Sequence, residues 1–255
     1  MPGGAPVVSS RSAPGEAAFR GFAGLPGAVA VSHLRVYDWP AADGVRGGTP
    51  HVHLTCSEAY VVTGGRGAVQ TLTTSGYEVT PLSPGTVVWF TPGTIHRLVN
   101  EDDLRITVLM QNNGLPEAGD AVLTLPTRYL TDADRYAAAT VIPADAPEEE
   151  RERVARARRD LAVEGYRALR DVAGPEPLAA FHRAAAALVR PRLAEWRERW
   201  QRGAEAAAAA TGQQLDRLER GDMSHLRDAL VRAEQPSAHG RFGMCGRLDV
   251  YDGKR

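Results

Sequence analysis

The stretch PHVHLTCSEAYVVTGG, residues 50–65, decides the fold. His51 and His53 are two residues apart, and in an extended chain such a pair projects from one face. Glu58 lies five positions beyond His53, so strict alternation would put it on the opposite face. A turn or bulge within 54–57 must reset the phase, with a new strand starting near Glu58. A second stretch, GTVVWFTPGTIHRLVN (85–100), supplies a third histidine, His96, just after the turn signal Pro92-Gly93. If the shared face is the interior of a barrel, His51, His53, Glu58 and His96 converge on one spot. Three imidazoles and one carboxylate make a mixed nitrogen and oxygen site suited to Fe2+, Mn2+, Ni2+, Zn2+ or Co2+.

Outward from these stretches the first half of the chain reads as short strands. AVAVSHLRVYDW (28–39), PHVHL (50–54) and EAYVVTGG (58–65) are three, the last ended by a Gly pair that suits a hairpin. GAVQTLTTSGYEVTPL (67–82) divides into two around Ser75-Gly76, and 85–100 and LRITVLMQ (104–111) complete the set. Many short strands at close spacing indicate a sandwich or barrel. After a connecting segment the composition turns to Ala, Arg, Glu and Leu. Helical spacing places Val154, Ala157, Leu161, Leu169 and Val172 on one stripe from Glu148 onward. A second helix is expected from about Leu178, carrying Phe181, Ala185, Leu188, Trp196 and Trp200, with a kink at Pro191. Further helices are expected at 213–218 and 224–233. The tail GRLDVYDGKR (246–255) returns to strand composition, and its LDVYD echoes LRVYD (34–38). The echo is either chance or the mark of two strands pairing at the barrel edge.

The two histidine stretches together resemble the cupin superfamily. Its first motif is matched by His51, His53, Glu58 and Gly65, and its second by Gly85, Gly93, His96 and Asn100. The departures are a misplaced leading glycine (Gly44, with Gly47 and Gly48 nearby) and Thr91 in a proline slot. Both touch turns and leave every ligand position filled. The resemblance covers about residues 28–112. It implies a β-rich chain, α+β overall: a cupin β-barrel, or double-stranded β-helix, followed by an α-helical extension. The expected division is a flexible leader at 1–27, the metal-binding barrel at 28–126, the helical extension at 127–240 and a strand-like tail at 241–255. Dimerisation is common in the family, and helices carrying Trp196 and Trp200 offer a surface for a homodimer.

The 255 residues, 43% hydrophobic and 24% charged, are ordinary globular composition. A formal net charge of -1, and Glu and Asp interleaved with Arg along the helices, give no field for nucleic acid or an anionic membrane. No apolar run is long enough to span a bilayer. Two cysteines, Cys56 and Cys245, make no disulfide framework, and the expected location is the reducing cytoplasm. Cys56, between two ligands, reads as a peripheral thiol in a turn, and His182, His225 and His239 as structural or surface residues.

The resemblance implies one divalent transition metal ion per subunit, Fe2+ first among the candidates, and a small-molecule substrate. An Fe2+ dioxygenase is the leading expectation, since four protein ligands leave up to two positions for substrate and dioxygen. Glu58 is then the candidate catalytic residue, tempering the charge on the metal and acting as a base if it dissociates. A metal-dependent sugar or keto-acid isomerase or epimerase is the alternative, and a non-catalytic ligand-binding barrel the second. Isomerases need a cation to hold phosphate or carboxylate, and the strands offer chiefly Arg66, Arg97 and Arg105, of which Arg97 has outward parity. Strand parity turns Tyr60, Leu98 and one of Trp89 and Phe90 inward, and Met110 ends the last strand. Tyr60, Trp89, Leu98 and Met110 are the candidate substrate-binding residues, in apolar and aromatic walls suited to an uncharged or aromatic substrate.

Overall fold

The computed structural model describes residues 25–172 and 174–251; most of the expected leader lies outside them. The strands are β1 (Ala30–Val36), β2 (His51–His53), β3 (Glu58–Thr73), β4 (Gly76–Leu82), β5 (Val87–Phe90), β6 (Ile95–Met110), β7 (Ala121–Leu123), β8 (Ala238–Phe242) and β9 (Gly246–Val250). All pair antiparallel, in the order β4-β3-β6-β1-β9-β8, with β2 joining β6 and β7, and β5 joining β3. The barrel interior away from the histidines is apolar, with Val69, Leu98 and Ile106 among its most buried side chains, while Val52 and Ile95 are buried on the opposite face of the same strands.

The Gly64-Gly65 pair is not a hairpin. β3 runs straight through it opposite β6, which likewise continues past residue 100, and the pairing slips between Val62 and Gly67. Both strands turn a corner there. Gly65 takes φ 72°, and a Cβ at that position would lie 2.2 Å from the carbonyl oxygens of Asp102 and Asp103. The irregularity bends the strands so that one long pair serves both walls of the barrel.

The strand-like tail belongs to the barrel. β9 lies along β1 with Leu34 opposite Leu248 and Arg35 opposite Arg247, so the repeated five-residue sequence does mark paired strands. The turn between β8 and β9 is clamped on two sides. Tyr37 N donates to Cys245 O at 3.1 Å and Thr49 N to Met244 O at 3.0 Å. The Tyr37 hydroxyl and the Arg158 guanidinium both donate to Gly243 O.

The helices are α1 (Thr127–Leu130), α2 (Ala133–Thr140), α3 (Glu148–Arg170), α4 (Glu176–Val189), α5 (Leu193–Trp200), α6 (Ala206–Glu219) and α7 (Ser224–Arg227). α3 opens on three glutamates and closes with Arg167 and Arg170, charges that complement its dipole. Its buried face is Ala155, Arg159, Ala162, Val163 and Tyr166, rotated from the expected stripe, and Val172 is exposed. Close approach explains the rotation: a Cβ on Gly165 would meet Thr124 O at 2.1 Å, so small residues must face the barrel. Buried Arg159 is satisfied by the carbonyls of Trp39 and Pro40 at 2.8 and 2.7 Å. Pro191 interrupts the next helix as expected, in a 3-10 turn at Arg190–Arg192. Trp196 is no dimer surface; it is buried, and its indole donates to Ala118 O at 3.1 Å. No helix among the described residues is long and apolar enough to cross a membrane.

Candidate metal centre

Strand register assembles the centre. His51 on β2 stands directly opposite His96 on β6, and Glu58 on β3 opposite Phe90 and Met110. The phase reset expected between His53 and Glu58 is a bend at 54–57, held by Asp120, whose carboxylate accepts from Thr55 N at 2.7 Å and Thr55 Oγ1 at 2.6 Å. The loop before His96 is fixed from both sides. Gly93 N donates to His53 O at 2.9 Å, and His182 Nε2 on α4 donates to Gly93 O at 3.0 Å.

All four ligand side chains are buried, and one donor atom from each lies within 4.8 Å of every other. The glutamate Oε2 is 3.0 Å from His96 Nε2 and 3.4 Å from His53 Nε2. Each imidazole is oriented through its outer nitrogen: His51 Nδ1 donates to Thr49 O at 2.9 Å, His96 Nδ1 to Thr94 O at 3.1 Å and His53 Nδ1 to Asp120 Oδ2 at 2.9 Å. Carbonyls only accept, so the proton of His51 and of His96 sits on Nδ1 and both Nε2 lone pairs point inward. Those two Nε2 atoms are 3.0 Å apart. Two lone pairs facing at that separation favour a proton or a metal ion shared between them, and outer-nitrogen hydrogen bonding of this kind orients metal-ligating histidines.

The electrostatics agree with a cation. Burial, then the neighbouring His96 and His53, hold His51 well below the usual imidazole range. Burial alone would depress His53 too, but Asp120 and Glu58 overcome it and push it up to about 9. Burial opposes ionisation of Glu58, yet His96 and His53 keep it well below the usual carboxylate range. Asp120, fully buried, is likewise held low despite its burial, by His53 and Thr55. Two buried carboxylates beside three imidazoles are an environment that a divalent ion completes.

The centre opens into a cavity of about 260 Å³. Tyr60, as expected from parity, and Met110 line it. Trp89 and Leu98 do not. Trp89 is 70% exposed on the outer face of β5, because its neighbour Phe90 takes the inward position, 4.2 Å from the His96 ring. Leu98 does face inward but packs opposite Val69 in the core, away from the cavity. Cys56 is buried rather than peripheral, and burial followed by the Asp120 charge pushes its thiol up. Arg66 and Arg105 pair with Asp102 and Asp103 at the exposed corner, and buried Arg97 faces away from the interior onto Asp43.

Two contributors escaped the sequence reading. Asp120 sits at the end of a π-helical turn, Pro116–Asp120, far from either histidine motif. The tail supplies an entire wall, with Arg241, Met244, Cys245, Leu248 and Val250 on the cavity. Only the echo of 34–38 in 248–252 hinted at that.

Residues 41–133 match the family model described as Cupin. Solved structures with similarity include a Streptomyces Pac13 variant with uridine, at 15% identity and TM-score 0.27 over 34% of this chain and 62% of that one. A protein with a double-stranded beta-helix domain from Klebsiella pneumoniae matches at 18% identity and TM-score 0.26, over 34% and 67%. A putative sugar phosphate isomerase from Acidithiobacillus ferrooxidans matches at 22% identity and TM-score 0.27, over 32% and 49%. The chain thus spans about 62% of the length of the first of these. No curated protein sequence matches it.

Proposed function

We propose that this chain, whose barrel is a cupin domain, is a metal-dependent enzyme acting on a small organic molecule, with an Fe2+-type dioxygenase as the leading reading. The observation that carries it is the convergence of three inward Nε2 atoms and the Glu58 carboxylate at the wall of a half-open cavity. His51, His53, Glu58 and His96 would hold the ion. A redox-active divalent metal there supplies dioxygen activation, and the same ligand set accepts several metals. The chain's own part is to place the substrate against the apolar strip of Val108, Met110, Leu34 and Leu248. Glu58, charged and buried, balances the ion and can accept a proton at Oε2.

A second reading, a sugar or keto-acid isomerase, is supported by Tyr60. Its hydroxyl is buried with no hydrogen-bond partner, and burial followed by the charge of Glu58 raises it well above the usual phenol range. A protonated phenol beside a carboxylate is a pair able to move a proton along a substrate.

Elemental analysis of untagged protein purified without added metal tests both, beside a His51→Ala/His96→Ala double variant. Near-stoichiometric iron, lost in the variant, supports the dioxygenase and leads to an oxygen-uptake screen. Zinc, manganese or nickel at the site moves the assignment to Lewis-acid chemistry. No metal, and no uptake on reconstitution, overturns the enzyme reading and leaves a ligand-binding barrel.

A further inference from the structure

Three cross-strand rows run across the inner face from the metal centre to the tail. Tyr60, Val108, Ser32 and Val250 lie opposite one another in turn. Glu58, Met110 and Ala30 form the row beside them, and Leu34, Leu248 and Arg241 the row on the far side. Each of these residues lines the cavity. The third row ends in a charge only because β8 is irregular. Between Ala238 and Arg241 two residues of β8, His239 and Gly240, oppose one of β9, Asp249, with Gly240 at φ 63°. Without that bulge Arg241 would occupy the opposite face; bulges re-aim side chains in this way beside functional sites.

Arg241, exposed at the cavity's rim, is the one Lys or Arg among the described residues on the cavity, and no acid among those residues pairs with it. The neighbouring charges are all committed. Asp249 carries Arg35, His239 and the Gly240 amide, while Arg247 pairs with Glu148 and lies over the Phe242 ring. Glu117, the cavity's remaining acid, accepts from Gly114 N at 3.0 Å. Apart from the metal ligands, the surfaces between Arg241 and the centre are largely apolar.

We infer that Arg241 is a specificity-determining residue that receives the carboxylate of the substrate, whose apolar body lies along Leu248, Leu34 and Met110 toward the metal centre. The substrate class is therefore a small apolar or aromatic monocarboxylic acid, which adds a charge to the uncharged or aromatic molecule expected from the barrel walls alone. The inference rests on taking this cavity as the substrate site.

The test is calorimetric binding of 3-phenylpropanoate and of its amide, 3-phenylpropanamide, to the full chain, both metal-free and zinc-loaded. The wild type should bind the carboxylate about 2- to 5-fold more tightly than the amide, the range of an ion pair with a solvent-exposed cation. Arg241→Gln should abolish that preference by weakening carboxylate binding more than amide binding, and Arg241→Lys should restore part of it. A wild type that does not distinguish the two, or does not bind the carboxylate at millimolar concentration, overturns the assignment. So does an Arg241→Gln variant that keeps the preference, which would place the carboxylate on the ion instead. The metal-free arm separates the two failures: a chain that takes up no metal yet keeps an Arg241-dependent preference loses the enzyme reading and keeps this one.

Discussion

Asp120 Oδ2 lies 2.9 Å from His53 Nδ1, while the other oxygen of the same carboxylate holds Thr55. One buried group thus orients a ligand and fixes the bend that brings Glu58 to the same face as the histidines. Asp120→Asn keeps the volume but weakens the charge-assisted contact. It should lower metal affinity about 10- to 100-fold, the usual effect of losing such a partner. Competition against a chromophoric chelator reads the change. Unchanged affinity would mean that the His53 ring is held by packing alone.

Tyr60 gives a prediction in which stability and activity move apart. Its hydroxyl is buried beside the Glu58 carboxylate without a well-formed hydrogen bond, so Tyr60→Phe removes a desolvated polar group at little cost in hydrogen bonds. Thermal stability of the metal-free protein should hold or rise by up to about 1 kcal/mol. If the phenol moves a proton, kcat should fall at least about tenfold with KM little changed. Lowered stability would instead reveal a structural hydrogen bond.

The centre was legible because its signal is local. His51-Val-His53 states its own geometry, since alternation along a strand needs no tertiary information. His96 follows a turn signal that the sequence prints as Pro92-Gly93. Trp89 was misjudged because parity fixes only that one of Trp89 and Phe90 faces inward. Which one depends on the register against β3, where Phe90 meets Glu58. Asp120 and Arg241 reach the site through contacts 67 residues distant in one case and through a bulged terminal hairpin in the other. No periodicity in a single sequence encodes those. The stripe of α3 was misplaced because close packing selected Ala and Gly, which hydrophobic spacing undervalues.

Arg97 and Asp43 form a bidentate pair at 2.6 and 3.0 Å, with the guanidinium buried between the sheet and the 41–46 loop. Asp43→Asn strands a buried charge and should cost toward the lower end of about 3–5 kcal/mol, since Asp43 itself is partly exposed. Burial would raise the Asp43 carboxyl, but Arg97 holds it below the usual range. A depressed folded-state value means that the stabilisation is complete above the unfolded carboxylate value of about 3.9 and is lost as pH falls toward the folded one. The gap between wild type and variant in urea melts should therefore be equal at about pH 7 and pH 5 and narrow below about pH 4. A gap that widens with acidification would remove the ion pair as its cause.

Gly48 tests whether the tail is seated as a cavity wall. Its amide donates to Leu98 O at 2.9 Å, fixing it beside β6. A Cβ there would lie 2.8 Å from Cys245 Cα and 2.9 Å from Cys245 Cβ and Sγ. The obstruction is the Cα and the short side chain of Cys245 in the clamped turn, so Gly48→Ala must displace the tail or the strand. The expected cost is about 1–3 kcal/mol, typical of overpacking. Hydrogen exchange should localise it, with faster exchange at 246–250 and little change along β3 and β6. Metal affinity should fall less than about tenfold, because the ligands sit on β2, β3 and β6 and only their second neighbours move. Binding of 3-phenylpropanoate should suffer more, since displacing the β8–β9 turn carries Arg241 with it. Equal losses in both would make the tail a general stabiliser of the barrel. Unchanged exchange and stability would show that Cys245 does not press on Gly48 and that the cavity is open on that side.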